Sequence, residues 1–253
     1  MKKLLVSDYD GTYKKRSSSL NEIKVNNEAI QRFVEKGHKF VLSTGRDYLS
    51  FFQELKKYNI IMSYISCGNG NVIFDNELNL VNFNKISKKE LQLFKDFYNN
   101  FEYVKMLNPY GEDDLNNIVE FEIRYKNLKS REKFQKFLIE NKIFNYYHDP
   151  NNSLVIHIFN NNYKKTNALI FLANKENISY SDVFCIGDGY NDYDMISRFN
   201  GYTVSNAKSE LKKIALTEYE NVSDLSDDIL KDEVIKNESK LSHKRRSKFI
   251  NYL

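Results

Sequence analysis

Four short segments of this sequence together supply carboxylate, glycine, hydroxyl and amine groups. Each follows a compact apolar run or opens an amphipathic one; they are Asp8-Tyr9-Asp10-Gly11-Thr12, Ser43-Thr44-Gly45-Arg46, Lys165 and Gly187-Asp188-Gly189-Tyr190-Asn191-Asp192. Carboxylate oxygens bind hard divalent cations, and a carboxylate can also attack phosphorus as a nucleophile. Glycine amides, hydroxyls and an ammonium group can hold anionic oxygens. The combination suits chemistry on a phosphoryl group, provided that the fold brings the four segments together.

The apolar pattern around the first two segments predicts alternating strands and helices. Strands are expected at 4–7, 40–44 and 60–67, with helices at 27–36 and 49–58 between them. This alternation indicates a parallel sheet with right-handed crossovers. Ligands of such sheets bind at the carboxyl ends of the strands, so the first two polar segments are expected to share one edge of the sheet.

From about residue 72 the pattern changes and then returns. The middle of the chain predicts a hairpin turned at Asp75-Asn76, helices at 87–100 and 129–141, and strands at 118–125, 143–147 and 153–159. The last part predicts a helix at 165–175, a strand at 182–188, a helix from about Asn191 and a strand at 201–205. The expected fold is α/β: a Rossmann-like, doubly wound parallel sheet core formed by 1–83 and 160–253, with an inserted α+β cap domain at 84–159.

Composition excludes several classes of protein. The formal charge of +4, from 38 basic and 34 acidic residues, is not the concentrated basic charge of a nucleic-acid-binding surface. The apolar run near the N-terminus is too short for a signal peptide, and no stretch approaches the length of a membrane span. Cys67 and Cys185 lie in separate apolar runs and are expected to be buried, reduced thiols. We therefore expect a cytoplasmic protein with neither a nucleic-acid nor a membrane partner.

The four polar segments resemble the motifs of haloacid dehalogenase superfamily phosphatases, in particular the Cof-type sugar-phosphatase group with a type IIB cap. In the family's order they read DYDGT (8–12), STGR (43–46), KTNAL (165–169) and GDGYND (187–192). NGN (69–71) is similar to the family's Asn-Gly turn before the cap, and SNA (205–207) to its late Asn-Ala pair. Tyr9, Tyr13 and Thr166 depart from the family's usual residues without removing a catalytic group. The cap matches in length and rhythm only.

The resemblance implies a role for each matching residue. Asp8 would be the nucleophile and a Mg²⁺ ligand, and Asp10 the general acid–base and, through its main-chain carbonyl, a second ligand. Asp188 would complete the metal site, with Asp192 in or just behind the ligand shell. The phosphoryl oxygens would be held by Gly11, Thr44, Gly45, Lys165 and Asn191. An aspartate at position 10 favours a phosphoester hydrolase or a phosphomutase over phosphoaspartyl ATPases, which carry threonine there.

Several of these residues also have a simpler structural explanation. Thr44 alone is typical of a helix N-cap, and an aspartate pair after a strand is often a turn, so their catalytic interpretation depends on the other motifs. Lys165 is preferred to the adjacent Lys164 because of its spacing to Ala168-Leu169. Arg46 is a candidate substrate contact or a solvated helix residue, and Arg124 is a candidate substrate contact from the cap.

Histidines and the basic tail are given no catalytic part. His157 lies in a strand pattern and is expected to be a packed or rim residue, and the remaining histidines have no partners at metal-ligand spacing. The basic run at 242–249 is expected to be a solvated helical tail.

Three functions fit the motifs to different degrees. The first is a Mg²⁺-dependent phosphatase that hydrolyses a small phosphorylated metabolite, with a sugar phosphate favoured and nucleotide monophosphates or phosphorylated cofactors left open. The second is a phosphomutase or phosphotransferase, which needs basic cap residues facing the core, of which Arg124 is the one obvious candidate. The third is a non-catalytic regulator, disfavoured because all four motif carboxylates are present.

Overall fold

The computed structural model describes residues 1–15, 19–110, 117–142, 144–149, 152–160 and 164–232. The strands in this part of the chain are β1 (Leu4–Asp8), β2 (Lys39–Ser43), β3 (Tyr64–Cys67), β4 (Val72–Asp75), β5 (Leu80–Phe83), β6 (Phe101–Leu107), β7 (Glu120–Tyr125), β8 (Phe144–His148), β9 (Val155–Asn160), β10 (Val183–Gly187), β11 (Asn200–Val204) and β12 (Glu218–Tyr219). They form an eight-stranded sheet in the order β12-β11-β10-β1-β2-β3-β4-β5 and a four-stranded sheet in the order β6-β7-β9-β8.

Strand β1 lies at the centre of the large sheet and pairs in parallel with β2 on one side and β10 on the other. Its residues Leu4, Leu5 and Val6 are fully buried, as expected for a strand covered on both faces. Each such side chain contributes roughly 1.5–3 kcal/mol by burial. The order of the strands reverses at β1, so the crevice at its carboxyl end is a topological switch point. Asp8 is the residue that reaches this crevice.

Helices cover both faces of the large sheet. The named helices of the described residues are α1 (Leu20–Glu35), α2 (Tyr48–Tyr58), α3 (Lys88–Leu93), α4 (Leu128–Asn141), α5 (Lys165–Lys175), α6 (Tyr193–Arg198) and α7 (Ser209–Lys212), of which α4 packs against the small sheet. One buried apolar cluster joins the sheet to α1, α2 and the helical residues 222–232, and a second joins it to α5, α6 and α7. This three-layer arrangement confirms the predicted α/β fold class.

Helix α1 begins earlier than its apolar pattern predicts. The sequence indicated a start at residue 27, whereas the helix begins at Leu20. The side chain of Ser19 accepts a hydrogen bond from the Glu22 amide at 3.3 Å, and the Glu22 carboxylate accepts one from the Ser19 amide at 2.6 Å. This reciprocal capping satisfies amides that an uncapped helix end would leave without partners.

The small sheet is antiparallel, and helices cover one of its faces. Its core contains Phe94, Phe121, Phe134 and Ile158, contributed by strands and by the helical segments before and after them. Strand β6 was not predicted. Its register shifts between Phe101 and Tyr103, which interrupts the apolar alternation by which strands are recognised.

Direct hydrogen bonds connect the segments around the large sheet with those around the small sheet. The Tyr48 hydroxyl donates to the Asn108 carbonyl at 2.8 Å, and the Asn160 side-chain amide donates to the Lys85 carbonyl at 3.0 Å. All four strands of the small sheet lie between 101 and 160. The division into a core at 1–83 and 160–253 and a cap at 84–159 stays a prediction.

Two further expectations concern the described residues. Cys67 and Cys185 are both buried and unpaired, as predicted. None of the helices in the described ranges combines the length and the apolar character that a membrane crossing requires. The basic run at 242–249 lies outside the described residues.

Candidate active site

Three carboxylates meet at the carboxyl edge of the large sheet. Asp8 ends β1, and Asp188 directly follows the neighbouring strand β10, with Asp192 one turn further on. One oxygen from each carboxylate lies within 4.8 Å of the others. Asp8 and Asp192 are buried, whereas Asp188 is half-buried. The parallel pairing of β1 with β10 brings these distant positions of the chain together.

Lys165, at the start of α5, lies beneath the carboxylates. Its Nζ donates to Oδ1 of Asp8, to Oδ1 of Asp192 at 2.7 Å and to the Ser43 carbonyl at 3.0 Å. The ammonium is fully buried, so all three of its donors are used inside the protein. Lys164, the alternative in the sequence, instead forms an exposed ion pair with Asp194 at 2.7 Å. Of the two lysines, Lys165 is the one that the fold places in the carboxylate cluster.

Asp192 is held on both sides of its carboxylate. While Oδ1 accepts from Lys165, Oδ2 accepts from the backbone amides of Asp188 and Gly189, each at 3.0 Å. These bonds fix the loop that carries Asp188. With both oxygens already engaged, Asp192 is suited to a place behind the inner ligands of a cation.

Two glycines allow the chain to approach the carboxylates. Gly11 has φ = 93°, and a Cβ there would lie 2.3 Å from Oδ2 of Asp188. A Cβ on Gly187 would lie 2.5 Å from the Asp192 carboxylate. Real side chains cannot occupy that space, which explains the residue type at both positions. Thr12 adds a hydrogen bond from its hydroxyl to Oδ1 of Asp188 at 3.0 Å.

Hydroxyl and amide groups follow β2 and β3 along the same edge. Thr44 is buried, and its Oγ1 accepts a hydrogen bond from the Arg46 amide at 3.1 Å. Asn69 has a left-handed backbone, φ = 55°, and its Oδ1 accepts from the Asn191 side chain at 3.1 Å. A Cβ on Gly45 would lie 3.3 Å from the same Asn69 oxygen. Asn69 therefore connects two of the predicted phosphate-binding residues.

Asp10 and Arg46 form an ion pair at the open side of the site. Nε of Arg46 donates to Oδ2 of Asp10 at 2.7 Å, and a terminal guanidinium nitrogen donates to Oδ1. The Asp10 side chain is half exposed, unlike the buried Asp8. The side chain of Asp10 is not part of the three-carboxylate cluster.

Arg124 lies away from these groups, on β7 of the small sheet. It forms an ion pair with Glu102 at 3.0 Å. No contact among the described residues joins it to the carboxylate cluster. Its assignment as a substrate contact stays a prediction.

Sequence reasoning missed three residues that contact the predicted ones. Thr12 lies inside the DYDGT motif and Asn69 inside NGN, so the sequence could have indicated both. Glu54, which lies 3.8 Å from Arg46, could not, because a lone glutamate in an amphipathic helix has no distinguishing pattern.

The electrostatics of the cluster favour a cation. Burial raises the pKa of Asp8 well above its ordinary value; the nearby Lys165 opposes this rise, and the charges of Asp192 and Asp188 add to it. Burial acts to lower the pKa of Lys165, but the carboxylates of Asp192 and Asp8 outweigh it, so that this pKa is raised. The ammonium offsets one of three close negative charges. A hard divalent cation with oxygen ligands fits the remainder.

The fold and the carboxylate cluster together define an α/β protein whose reactive groups lie at the switch point of its sheet. The family model of the haloacid dehalogenase-like hydrolases matches residues 5–152 and 95–226. The chain belongs to this family and is a hydrolase, which confirms the resemblance noted in its motifs.

Individual relatives agree with this assignment. A Bacillus subtilis 5-amino-6-(5-phospho-D-ribitylamino)uracil phosphatase is 26% identical over 84% of this chain and 88% of its own. A haloacid dehalogenase-like hydrolase from Bacteroides thetaiotaomicron superimposes with a TM-score of 0.73 at 17% identity, covering 90% of this chain and all of its own. A structure from the same organism, described among phosphatases of the superfamily, gives 0.66 at 17% identity, covering 89% and 92%. The two structural matches support the fold.

Proposed function

We propose that this protein is a Mg²⁺-dependent phosphatase that hydrolyses phosphomonoesters of small metabolites through an aspartyl-phosphate on Asp8. The observation that carries the proposal is the group of Asp8, Asp188 and Asp192, with oxygens within 4.8 Å of one another and the buried ammonium of Lys165 against Asp8. Such a group is costly to assemble without a function, because close buried carboxylates repel each other.

The donor set fits Mg²⁺, which prefers oxygen ligands and is held by one or two carboxylates. Asp8, Asp188 and the main-chain carbonyl of Asp10 are the residues that would hold the ion, with Asp192 behind them. When bound, the ion would neutralise charge on the phosphoryl oxygens and on the attacking carboxylate.

In the first step, a carboxylate oxygen of Asp8 attacks phosphorus while the ester P–O bond breaks. Asp10, in its protonated form, gives its proton to the leaving oxygen, so that the product is a neutral alcohol. Lys165 stabilises the ionised form of Asp8 and sets its orientation, because it contacts the carboxylate from below. Thr44 and the amides near Gly11 and Gly45 would hold the phosphoryl oxygens.

In the second step, water attacks the phosphorus of the aspartyl-phosphate. Asp10, now ionised, accepts a proton from that water, and the P–O bond to Asp8 breaks to give inorganic phosphate. The carboxylate of Asp8 and the protonated Asp10 are both regenerated. One acid–base group therefore serves both steps in opposite directions.

The substrate class is a small phosphorylated metabolite, with sugar phosphates favoured. The Bacillus subtilis relative is named for a substrate with a phosphorylated ribityl chain. A phosphate on an acyclic or cyclic sugar is a compact group that could reach the carboxylates. Nucleotide monophosphates and flavin mononucleotide belong in the same screen.

The test is release of inorganic phosphate from a panel of these esters, with Mg²⁺ or with EDTA. We expect turnover that requires Mg²⁺ and that falls on the order of 10³-fold or more in Asp8→Asn, because the amide is a poor nucleophile. Asp228→Asn is the matched control, since Asp228 is an exposed aspartate that contacts Tyr219 and Lys231. Circular dichroism verifies that both variants fold.

Two outcomes would contradict the proposal. Full activity of Asp8→Asn would exclude the covalent mechanism. Isomerised sugar phosphate with little free phosphate would identify a phosphomutase instead.

A further inference from the structure

A second cluster of charges adjoins the acid–base group and is centred on Glu54 of α2. Oε2 of Glu54 accepts hydrogen bonds from the Tyr9 hydroxyl at 2.8 Å and from Nζ of Lys14 at 3.0 Å. Oε1 lies 3.8 Å from a terminal nitrogen of Arg46. The glutamate is thus fixed from the β1 loop, residues 9–15 directly after β1, and faces the guanidinium that binds Asp10.

The Arg46 guanidinium is restrained on several sides. Its central carbon lies 5.5 Å from the centre of the Tyr9 ring and 6.0 Å from that of Phe51. Nε and one terminal nitrogen of Arg46 donate to the two oxygens of Asp10, and the other terminal nitrogen faces Glu54. A planar guanidinium held in this way fixes the direction of any carboxylate bound to it.

Glu54 carries the charge that this restraint needs. Burial acts to raise its pKa, but the hydrogen bonds from Lys14 and Tyr9 and the charges of Lys14 and Arg46 outweigh it and lower that pKa. Its side chain is 20% exposed, against 50% for Asp10. The Glu54 end of the cluster is therefore less screened by water than the Asp10 end.

We propose that Glu54 is a positioning residue for the acid–base group: it fixes the guanidinium of Arg46, and Arg46 in turn orients the carboxyl group of Asp10. The inference rests on the proposed function, in which Asp10 protonates the leaving oxygen. Tyr9 and Lys14 support Glu54 from the loop that also carries Asp10.

A role in stability alone does not account for this arrangement. Partly exposed ion pairs contribute little to stability, so the cluster adds little to the free energy of unfolding. Orientation is a larger effect, since misplacing a catalytic group by about 1 Å can cost as much as 10²-fold in rate. Glu54 is therefore expected to influence protonation of the leaving group more than folding or substrate binding.

The experiment compares Glu54→Gln with the wild type on two aryl phosphates. p-Nitrophenolate leaves readily without a proton, whereas phenolate, with a pKa near that of tyrosine at about 10, depends on the acid. The ratio kcat/KM reports the steps up to cleavage of the ester bond, where the acid acts. We expect Glu54→Gln to lower kcat/KM about tenfold more for phenyl phosphate than for p-nitrophenyl phosphate.

Two further variants make the comparison specific. Glu28→Gln makes the same chemical change in an exposed pair with Lys24 on α1. This variant is expected to leave kcat/KM unchanged for both esters. Tyr9→Phe removes one hydrogen bond to Glu54 while keeping the ring. Like Glu54→Gln, it is expected to lower kcat/KM more for phenyl phosphate than for p-nitrophenyl phosphate, but by a smaller factor.

A second readout does not depend on activity. Hydrogen exchange at Nε–H of Arg46, followed by ¹⁵N NMR, is expected to accelerate in Glu54→Gln because the guanidinium loses its restraint. Equal losses of kcat/KM on both esters, or unchanged ratios and exchange, would overturn the role of Glu54. If the wild type hydrolyses neither these esters nor any ester of the metabolite panel, the proposed function itself fails, and the inference fails with it.

Discussion

Gly11 and Gly37 have almost the same φ angle but very different surroundings. Their φ angles are 93° and 87°, in the left-handed region that favours glycine. A Cβ on Gly11 would collide with the Asp188 carboxylate, whereas a Cβ on Gly37 would meet nothing within 4 Å. The pair therefore separates backbone strain from crowding of the candidate metal ligand.

Alanine substitution at these two positions should give different results. We expect each variant to lose about 1–2 kcal/mol of unfolding free energy from left-handed strain. We expect Gly11→Ala also to lose about 10²-fold or more in kcat/KM, because Asp188 must move away from Asp8. Urea unfolding and phosphate release measure the two effects. If Gly11→Ala were as active as Gly37→Ala, close approach of the loop to Asp188 would not matter.

Residue choices within the site were predictable only where a motif fixes them. The spacing within KTNAL favoured Lys165 over Lys164, and the fold does bury Lys165 against Asp8 while Lys164 stays at the surface. Glu54 shows the opposite case. Its relation to Arg46 arises from packing of α2 against the β1 loop, and such packing leaves no local pattern in the sequence.

At the scale of elements, the small sheet contains a buried contact between a histidine and a glutamate on adjacent strands. Nδ1 of His157 on β9 lies 2.7 Å from Oε1 of Glu120 on β7, and both side chains are buried. Asp149 approaches the other ring nitrogen at 3.9 Å, and the charges of Glu122 and Asp47 also act on the histidine. His157 was predicted to be a packed or rim residue, and its burial agrees with the packed alternative.

This pair should make stability fall as the pH rises. Burial raises the pKa of Glu120 to about 7, against the opposing effect of His157. Burial acts to lower the pKa of His157, but the hydrogen bond and charge of Glu120 outweigh it and raise that pKa. In the unfolded chain, a glutamate has a pKa of about 4.5 and releases its proton near that pH. The folded protein keeps the proton to a higher pH, so the folded state is stabilised where it binds the proton and the unfolded chain does not. The stabilisation is complete in acid and is lost as the pH passes through 7.

Glu120→Gln isolates this effect from the other carboxylates. We expect the stability of the wild type relative to the variant to decrease by about 2 kcal/mol between about pH 5 and pH 8. Urea unfolding across that range measures it. Glu122→Gln, on the same strand and less buried, is the control and should show no change of this size. A pH-independent difference between the wild type and Glu120→Gln would show that Glu120 ionises normally.

The elements themselves were predicted best where apolar periodicity is regular. Helix α5 has its predicted bounds, Lys165–Lys175, and β1, β2 and β10 differ from prediction by a residue or so at their ends. Strand β3 begins at Tyr64, four residues later than predicted, and α3 covers only the first part of the helix predicted at 87–100. Two other misses have local causes. Side-chain capping by Ser19 extends α1 toward its N-terminus, and a register shift conceals β6. Both effects depend on individual hydrogen bonds, which a pattern of apolar residues does not record.

Across the whole molecule, the candidate site connects distant parts of the chain. Asp8 comes from the first strand, and Asp188 and Asp192 follow β10. Lys165 begins α5, the helix that lies in the chain between β9 of the small sheet and β10 of the large sheet. The unfolded chain has no such group of ligands. A cation that binds here therefore binds the folded state alone and must stabilise it by mass action.

The same group is expected to reduce stability when no cation is present. Burial and the charge of Asp192 raise the pKa of Asp188 against the opposing hydrogen bond from Thr12, so ionising this carboxyl group costs more in the folded protein than in the unfolded chain. Removing its charge relieves repulsion with Asp8 and Asp192. In EDTA, we expect Asp188→Asn to be at least as stable as the wild type.

Magnesium should reverse this order. At a concentration of about 100 times the dissociation constant, a ligand specific for the folded state adds about 2.7 kcal/mol to the unfolding free energy. We expect the wild type and Asp228→Asn to gain on this order, and Asp188→Asn to gain much less because a ligand is lost. Urea unfolding in Mg²⁺ or EDTA, with ionic strength matched by KCl, separates binding from screening.

Equal gains in all three proteins would mean that Mg²⁺ acts elsewhere. Crossing of the two stability orders would show that the carboxylates are kept together for the cation at the expense of the cation-free fold.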